Sequence, residues 1–357
     1  MIIKINDSVF TEIIENNFLL TWQRFISTII RTAEQGHHLF IINPEMLHYI
    51  IESDKISDYS KYILKEITRR SFYTFEELDG RQTFSFTVNK SETEFEIDIL
   101  TTQAFEIDKL LQPSEIILED IEDNVIYNQI LISYIKHQGI TAHFYYRPLN
   151  GGGDGSSRLV ATHYRYNKNI HAIFDTDKKH PNDNIGKTAR KIIEEFSKIG
   201  LNNNYHILDC HEVENLHPIQ SFKEKADQHQ SKTVLFIEHA ISINESTYKF
   251  FDFKQSHKFC DIFNNESDFA KFWRDIYNTC NIEGVDINSF KSDPQKHKHT
   301  ITPKLSTVVG LLKDDMAKGV CKHTKIEEIF PKQLQETWKE IGKKMLAWTF
   351  AAPQINL

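Results

Sequence analysis

The stretch Ile170-His171-Ala172-Ile173-Phe174-Asp175-Thr176-Asp177 decides the fold. Its first five residues read as a buried strand. The strand ends in two carboxylates one residue apart. Alternate residues of a strand project to the same side, so Asp175 and Asp177 would hold like charges next to each other. Such a pair is stable chiefly when a cation sits between the two. Upstream, Ile116-Ile117-Leu118 is a second apolar run, and it also leads into a carboxylate, Glu119. Acids at the C-terminal ends of two strands are what magnesium-dependent phosphoryl chemistry needs.

Working outward, strands and helices alternate from residue 114 onward. Strands are expected over 115–119, 142–146, 170–174 and 205–208, with helices over 123–137, 159–166 and 185–199. That alternation predicts an α/β fold with a central parallel sheet, flanked by helices and joined by right-handed crossovers. Ligands of such sheets bind outside the carboxyl ends of the strands. Glu119, Asp175 and Asp177 all fall on that edge.

Gln112-Pro113-Ser114 marks a boundary, and residues 1–112 read as a separate N-terminal α/β domain. Residues 11–34 and 58–75 carry helical spacing, and 38–42 is a short buried strand. Residues 82–88 and 94–100 alternate at period two across Asn89-Lys90-Ser91-Glu92, which predicts a hairpin. Glu76, Glu77 and Asp79 read as solvated surface. Residues 113–230 form the metal-binding unit, and 231–357 a mainly helical C-terminal region. In that last region 268–280 and 333–350 read as helices and 291–299 as a loop; 233–237 fits helix or strand.

At 357 residues the chain is long enough for about two domains. It is 40% hydrophobic and 26% charged, as an ordinary globular protein is. No apolar run approaches the ~20 residues that span a bilayer. The N-terminus lacks the pattern of a signal peptide, so no membrane association and a cytoplasmic location are expected. Cys210, Cys260, Cys280 and Cys321 are widely spaced without a C-x-x-C pair and read as reduced thiols. A formal charge of −8 argues against a surface coated for nucleic acid, though not against a local basic channel.

Further residues extend the acidic edge. Asp123 lies four residues after Glu119 at the start of a helix; it fits an N-cap or a further ligand. Asn150-Gly151-Gly152-Gly153-Asp154-Gly155 follows the second strand, and fits either a plain loop or a backbone that approaches a phosphate. Glu212 and Glu214 follow the fourth strand and share a face if that segment is extended; either fits a metal ligand or a polar strand end. Asp183 reads as a loop residue. Gly186-Lys187-Thr188 resembles the end of a phosphate-binding loop, but Pro181 stands where its first glycine belongs. Lys187, Arg190 and Lys191 then read as basic residues near the acidic site. His297 and His299 read as a solvated loop. No H-E-x-x-H zinc motif and no G-x-S-x-G elbow occur.

Glu119-x-x-x-Asp123 after a strand, the Gly151-Gly152-Gly153 loop, Asp175-x-Asp177 and Glu212-Val213-Glu214-Asn215-Leu216 occur in that order. Together they resemble the Toprim domain of topoisomerases, primases and the overcoming-lysogenisation-defect nucleases, over roughly residues 114–220. The Glu-Asn-Leu segment is more similar to the nuclease branch and to the Toprim subunits of phage-defence systems. Many members have Glu-Gly where this chain has Glu119-Asp120. The resemblance implies Mg²⁺ or Mn²⁺ held by the strand-end glutamate and the aspartate pair. It also implies an ATPase partner in trans, since the chain has no Walker motif.

The expected activity is metal-dependent hydrolysis of phosphodiester bonds in DNA or RNA, in an effector of bacterial anti-phage defence. Glu119, Asp175 and Asp177 are the catalytic candidates, and Asp123 and Glu214 complete the metal set. Gly152, Gly153, Arg158 and Lys187 are the substrate-binding candidates, with Arg147 and Arg165 beside the glycine loop. The assisting lysine is open among Lys178, Lys179, Lys187, Lys304 and Lys318. Two alternatives stand beside this: a non-catalytic regulatory or assembly subunit of a defence complex, homo-oligomeric or not, and a primase-like nucleotidyl transferase.

Overall fold

The structure is a computed structural model that describes residues 2–5, 11, 15, 20–72, 83–87, 96–98, 108–139, 142–280, 300–319 and 325–355. It is α/β, and among the described residues it holds two four-stranded parallel sheets. The first sheet uses β1 (Ile2–Ile5), β2 (Leu39–Ile42), β3 (Thr83–Thr87) and β4 (Glu96–Asp98), in the order β2-β1-β3-β4. Helices α1 (Leu20–Glu34), α2 (Pro44–Ile51) and α3 (Asp58–Phe72) accompany it. β3 and β4 pair in parallel, Ser85 opposite Glu96 and Thr87 opposite Asp98, so the expected hairpin is not formed. Period-two alternation reports burial on one face and carries no information on strand direction.

The second sheet carries the acids. Its strands are β5 (Glu115–Leu118), β7 (Arg147–Asn150), β8 (Ile170–Phe174) and β9 (Tyr205–Ile207), in the order β7-β5-β8-β9, all parallel. The segment expected as its second strand, 142–146, supplies only the two-residue β6 (His143–Phe144). β6 pairs antiparallel with β12 (Phe350–Ala351) near the C-terminal end of the chain. The sheet strand is instead Arg147-Pro148-Leu149-Asn150. Pro148 hides it in the sequence, but a proline is tolerated there because β7 is an edge strand.

β5 and β8 are buried along their whole length and packed on both faces, which is why they read as unbroken apolar runs. Ile117, Ala172 and Phe174 face Val160 of α5 (Ser156–Tyr164) and Ile192 and Phe196 of α6 (Lys187–Lys198). Ile116, Leu118 and Ile173 face the other way. They join Ile126 and Ile130 of α4 (Asn124–His137) and Trp338 and Ile341 of α12 (Lys332–Thr349). His171, in the middle of β8, stacks on Trp348 with ring centroids 4.7 Å apart. Burial holds its pKa down at about 3, so it is a neutral core residue.

After the short α7 (Ile219–Lys225), residues 233–237 lie in a helix, α8 (Ser231–Ile243). α9 (Phe259–Phe263), α10 (Asp268–Thr279) and α11 (Ser306–Ala317) follow, with β10 (His257–Lys258) and β11 (Thr300–Thr302) forming a small antiparallel pair. The largest apolar core is continuous from Leu39 and Ile41 of the first sheet through β5 and β8 to Phe350. The expected loop at 291–299, with His297 and His299, and Glu76, Glu77, Asp79 and Cys321 lie outside the described residues. No helix among the described residues is long and apolar enough to cross a membrane.

Candidate metal centre

Glu119 follows β5 directly, and Asp175 and Asp177 follow β8, its hydrogen-bonded neighbour. The parallel register therefore puts the acids of the two strands at one edge. Their charges act on one another. Burial, then the charges of Asp177, Asp123 and Glu214, push the Glu119 carboxyl above its usual range. Burial, then Glu119, Asp123, Glu214 and Glu212, push Asp175 well above its own. The five acids expected as metal ligands thus feel one another's charge, as they do that of Glu212, while among the described residues only His211, Glu212 and Asp252 bring ligand atoms within 4.8 Å of one another.

The six carboxylates divide into two groups. Asp123, Glu212 and Glu214 are met by two lysines. Lys313, from α11, lies 2.6 Å from Asp123 Oδ1 and 3.3 Å from Glu214 Oε1. Lys254 lies 2.9 Å from Glu214 Oε2 and 3.2 Å from Glu212 Oε2. Glu214 is fully buried. Glu119, Asp175 and Asp177 make no ion pair among the described residues. Neither lysine was among the sequence candidates. Both come from the C-terminal region, more than 35 residues beyond the last acid, where nothing local in the sequence distinguishes them. Of the lysines expected to assist, Lys179 turns aside to Asp252 (3.5 Å).

Local conformation differs from expectation in three places. Asp123 sits at the N-cap of α4 but makes no capping hydrogen bond, since its carboxylate is turned to Lys313. Val213–Leu216 is a 3₁₀ turn, not an extended segment. Glu212 and Glu214 meet because the turn folds both onto Lys254. Asp177 has φ +58°, the only positive φ outside glycine among the described residues. That conformation is costly for a residue with a Cβ but least so for Asp and Asn.

Two glycine segments shape the edge. Gly151 donates its amide to Leu118 O at 2.7 Å and Gly152 to Glu119 O at 3.2 Å. A Cβ at Gly151 would stand 2.7 Å from Leu118 O. The loop therefore clamps the end of β5, and the Gly152 amide is already used there. Gly186 is the second. Its amide donates to Thr176 O at 2.7 Å, and a Cβ on it would meet Asp177 Oδ2 at 2.0 Å. The Gly186-Lys187-Thr188 segment thus lies against the aspartate pair and opens α6 there. Lys187 and Arg158, each in the first turn of its helix, share this edge. Arg147 opens β7 opposite Glu115 and Arg165 follows the last turn of α5, so both lie towards the far edge. Asp183 accepts from the amides of Lys179 and Asn184, as a loop residue does.

Comparison with protein-family models, with curated proteins and with solved structures returned no match.

Proposed function

We propose that the chain is a divalent-metal-dependent nuclease in which Glu119, Asp175 and Asp177 hold the metal. The observation that carries this reading is the group of three strand-end carboxylates with no ion pair of their own, set beside three that lysines meet. A donor set made only of carboxylate oxygens fits Mg²⁺ or Mn²⁺. Such an ion, when bound, lends positive charge to a phosphodiester and acidity to a water molecule. Asp123 and Glu214, expected as ligands, hold Lys313 and Lys254 at the acidic edge. Two ammonium groups placed there would stabilise charge that develops on a phosphate. Arg158 and Lys187 at the rim are suited to backbone phosphates of DNA or RNA.

The Toprim likeness supports the same assignment through the order and spacing of these residues. A role in phage defence and an ATPase partner in trans rest on that likeness alone; co-purification with a neighbouring ATPase tests them. The reaction is tested by incubating plasmid, single-stranded DNA and tRNA with Mg²⁺ or Mn²⁺. Glu119→Ala and Asp175→Ala should each lower cleavage by about 100-fold or more. Variants that cleave as well as the parent would refute the assignment. A second reading, a regulatory or assembly subunit, draws on the two lysines that already neutralise part of the cluster. It is favoured if Mg²⁺ and Mn²⁺ leave the melting temperature unmoved and no substrate is cut.

A further inference from the structure

A second cluster lies under the aspartate pair. His211, Glu212 and Asp252 are each buried, and each offers a ligand atom within 4.8 Å of the others'. The backbone presents all three. Glu212 Oε1 accepts the Phe253 amide at 3.1 Å, and Asp252 Oδ1 accepts the amides of Lys254 and Gln255 at 3.0 and 2.9 Å. One oxygen of each acid is thus fixed, and the other is turned outward to a lysine. The His211 amide is anchored on Lys249 O at 2.6 Å, and its carbonyl accepts from the Asp177 amide at 2.9 Å.

The histidine points to a ligand. It is 5% exposed, and its Nδ1 has no hydrogen-bond partner among the described residues. Its Nε2 stands 3.4 Å from Asp252 Oδ2. That separation is long for a charged hydrogen bond, which closes to about 2.7–2.9 Å. It matches the edge of a zinc coordination shell: donors roughly 2.0–2.2 Å from the ion stand roughly 3.3–3.6 Å apart in a tetrahedron. An imidazole beside two carboxylates suits zinc-class ions better than magnesium. The present counter-charges are replaceable. Lys179 is 3.5 Å from Asp252 Oδ2 and Lys254 is 3.2 Å from Glu212 Oε2, and both side chains are more than a third exposed. A cleft of about 270 Å³, lined by Lys179, Asp252, His257 and Asp261 among others, opens onto Asp252.

We infer that His211, Glu212 and Asp252 form a second metal site, of the zinc class, distinct from the centre at Glu119, Asp175 and Asp177. Three protein donors leave a fourth position for water from the cleft. The ion ties the segment after β9 to the Asp252 loop and steadies the His211 carbonyl that supports Asp177.

The test uses the full-length chain carrying Asp175→Ala, which removes the proposed nuclease centre. Equilibrium dialysis against Zn²⁺ should show one ion per chain. Co²⁺ in its place should give the intense visible absorption of a tetrahedral site. Adding His211→Ala, or separately Asp252→Asn, should weaken binding at least tenfold, with far-ultraviolet dichroism confirming the fold of each variant. Failure of the Asp175→Ala chain to bind Zn²⁺, or unchanged binding without His211 and with Asp252→Asn, overturns the inference. Mg²⁺-dependent cleavage by the parent is scored separately, so either result can fail while the other stands.

Discussion

The two parallel sheets share an architecture, and the end of β2 in the first differs from the ends of β5 and β8 in the second. In the first, β2 runs into Asn43, whose side chain accepts the Glu45 amide and caps α2. In the second, β5 runs into Glu119 and β8 into Asp175, whose carboxylates cap no helix among the described residues. Capping does occur beside them: Asp120 accepts the Glu122 amide at 3.0 Å. A polar residue that precedes a helix can satisfy its N-terminal amides, as Asn43 does. One that leaves this work to its neighbour, and collects further acids around it, keeps charge that the fold does not need. That excess separates the ends of β5 and β8 from the end of β2.

The largest expected effect comes from removing the cation that makes the excess tolerable. Lys313→Ala would leave Glu214 and Asp123 buried without that ammonium. Breaking a buried pair from one side typically costs about 3–5 kcal/mol. Lys313 is only 17% exposed in its side chain, so solvent recovers little of that. Urea unfolding of Lys313→Ala should show the loss, and Glu214→Gln added to it should recover part. A Lys313→Ala chain as stable as the parent would mean the acidic edge is no more strained than the first sheet.

A smaller effect is expected at Gly186, which tests whether the strand-end geometry is specific. Its φ is −55° and its ψ 159°, which alanine adopts freely. The obstacle is the Asp177 carboxylate in the place of the new Cβ. Gly186→Ala should therefore keep the fold and displace Asp177, weakening Mn²⁺ binding about tenfold, or roughly 1.4 kcal/mol. Calorimetric titration with Mn²⁺ reads this directly. Unchanged affinity would remove Asp177 from the metal set.

Much of this edge was legible in the sequence because each acid follows an apolar strand or opens the helix after one. β5 and β8 are continuous apolar runs, and parallel pairing alone brings Glu119, Asp175 and Asp177 together. Asp123 and Glu214 were legible for the same reason. Lys254 and Lys313 were not, since their contacts depend on how the C-terminal helices pack. β7 was missed because Arg147 and Pro148 do not look like a strand, and the β3–β4 direction because alternation does not encode it. The His211–Glu212–Asp252 cluster was hidden because Asp252 follows a 3₁₀ segment, Glu245–Phe250, rather than a strand whose end the sequence marks. Glu212 itself was read as a metal candidate, but for the other centre.

The smallest effect is in stability against pH, where the two kinds of buried group oppose each other. Burial, followed by the charge of Glu214, raises Glu212 to about 7, and Asp175 is raised as well. A carboxyl whose folded pKa is raised contributes stability below its unfolded value near 4, and that contribution is lost as pH rises through the folded value. The buried histidines act in the other sense. His217 and His257 are held at about 4, principally by burial, so their contribution is present above about 6.5 and lost as pH falls towards 4. Comparing the parent with Asp175→Asn cancels the histidines, which both chains share. In chelator, the two should melt together near pH 4, and Asp175→Asn should melt progressively higher than the parent by pH 8. Mn²⁺ should stabilise the parent and close that gap, because the ion takes up the charge that the fold leaves unpaired. A variant that melts below the parent at pH 8 without metal would show that Asp175 is a structural acid, as Asn43 is a structural cap, and the contrast between the two sheets would fall with it.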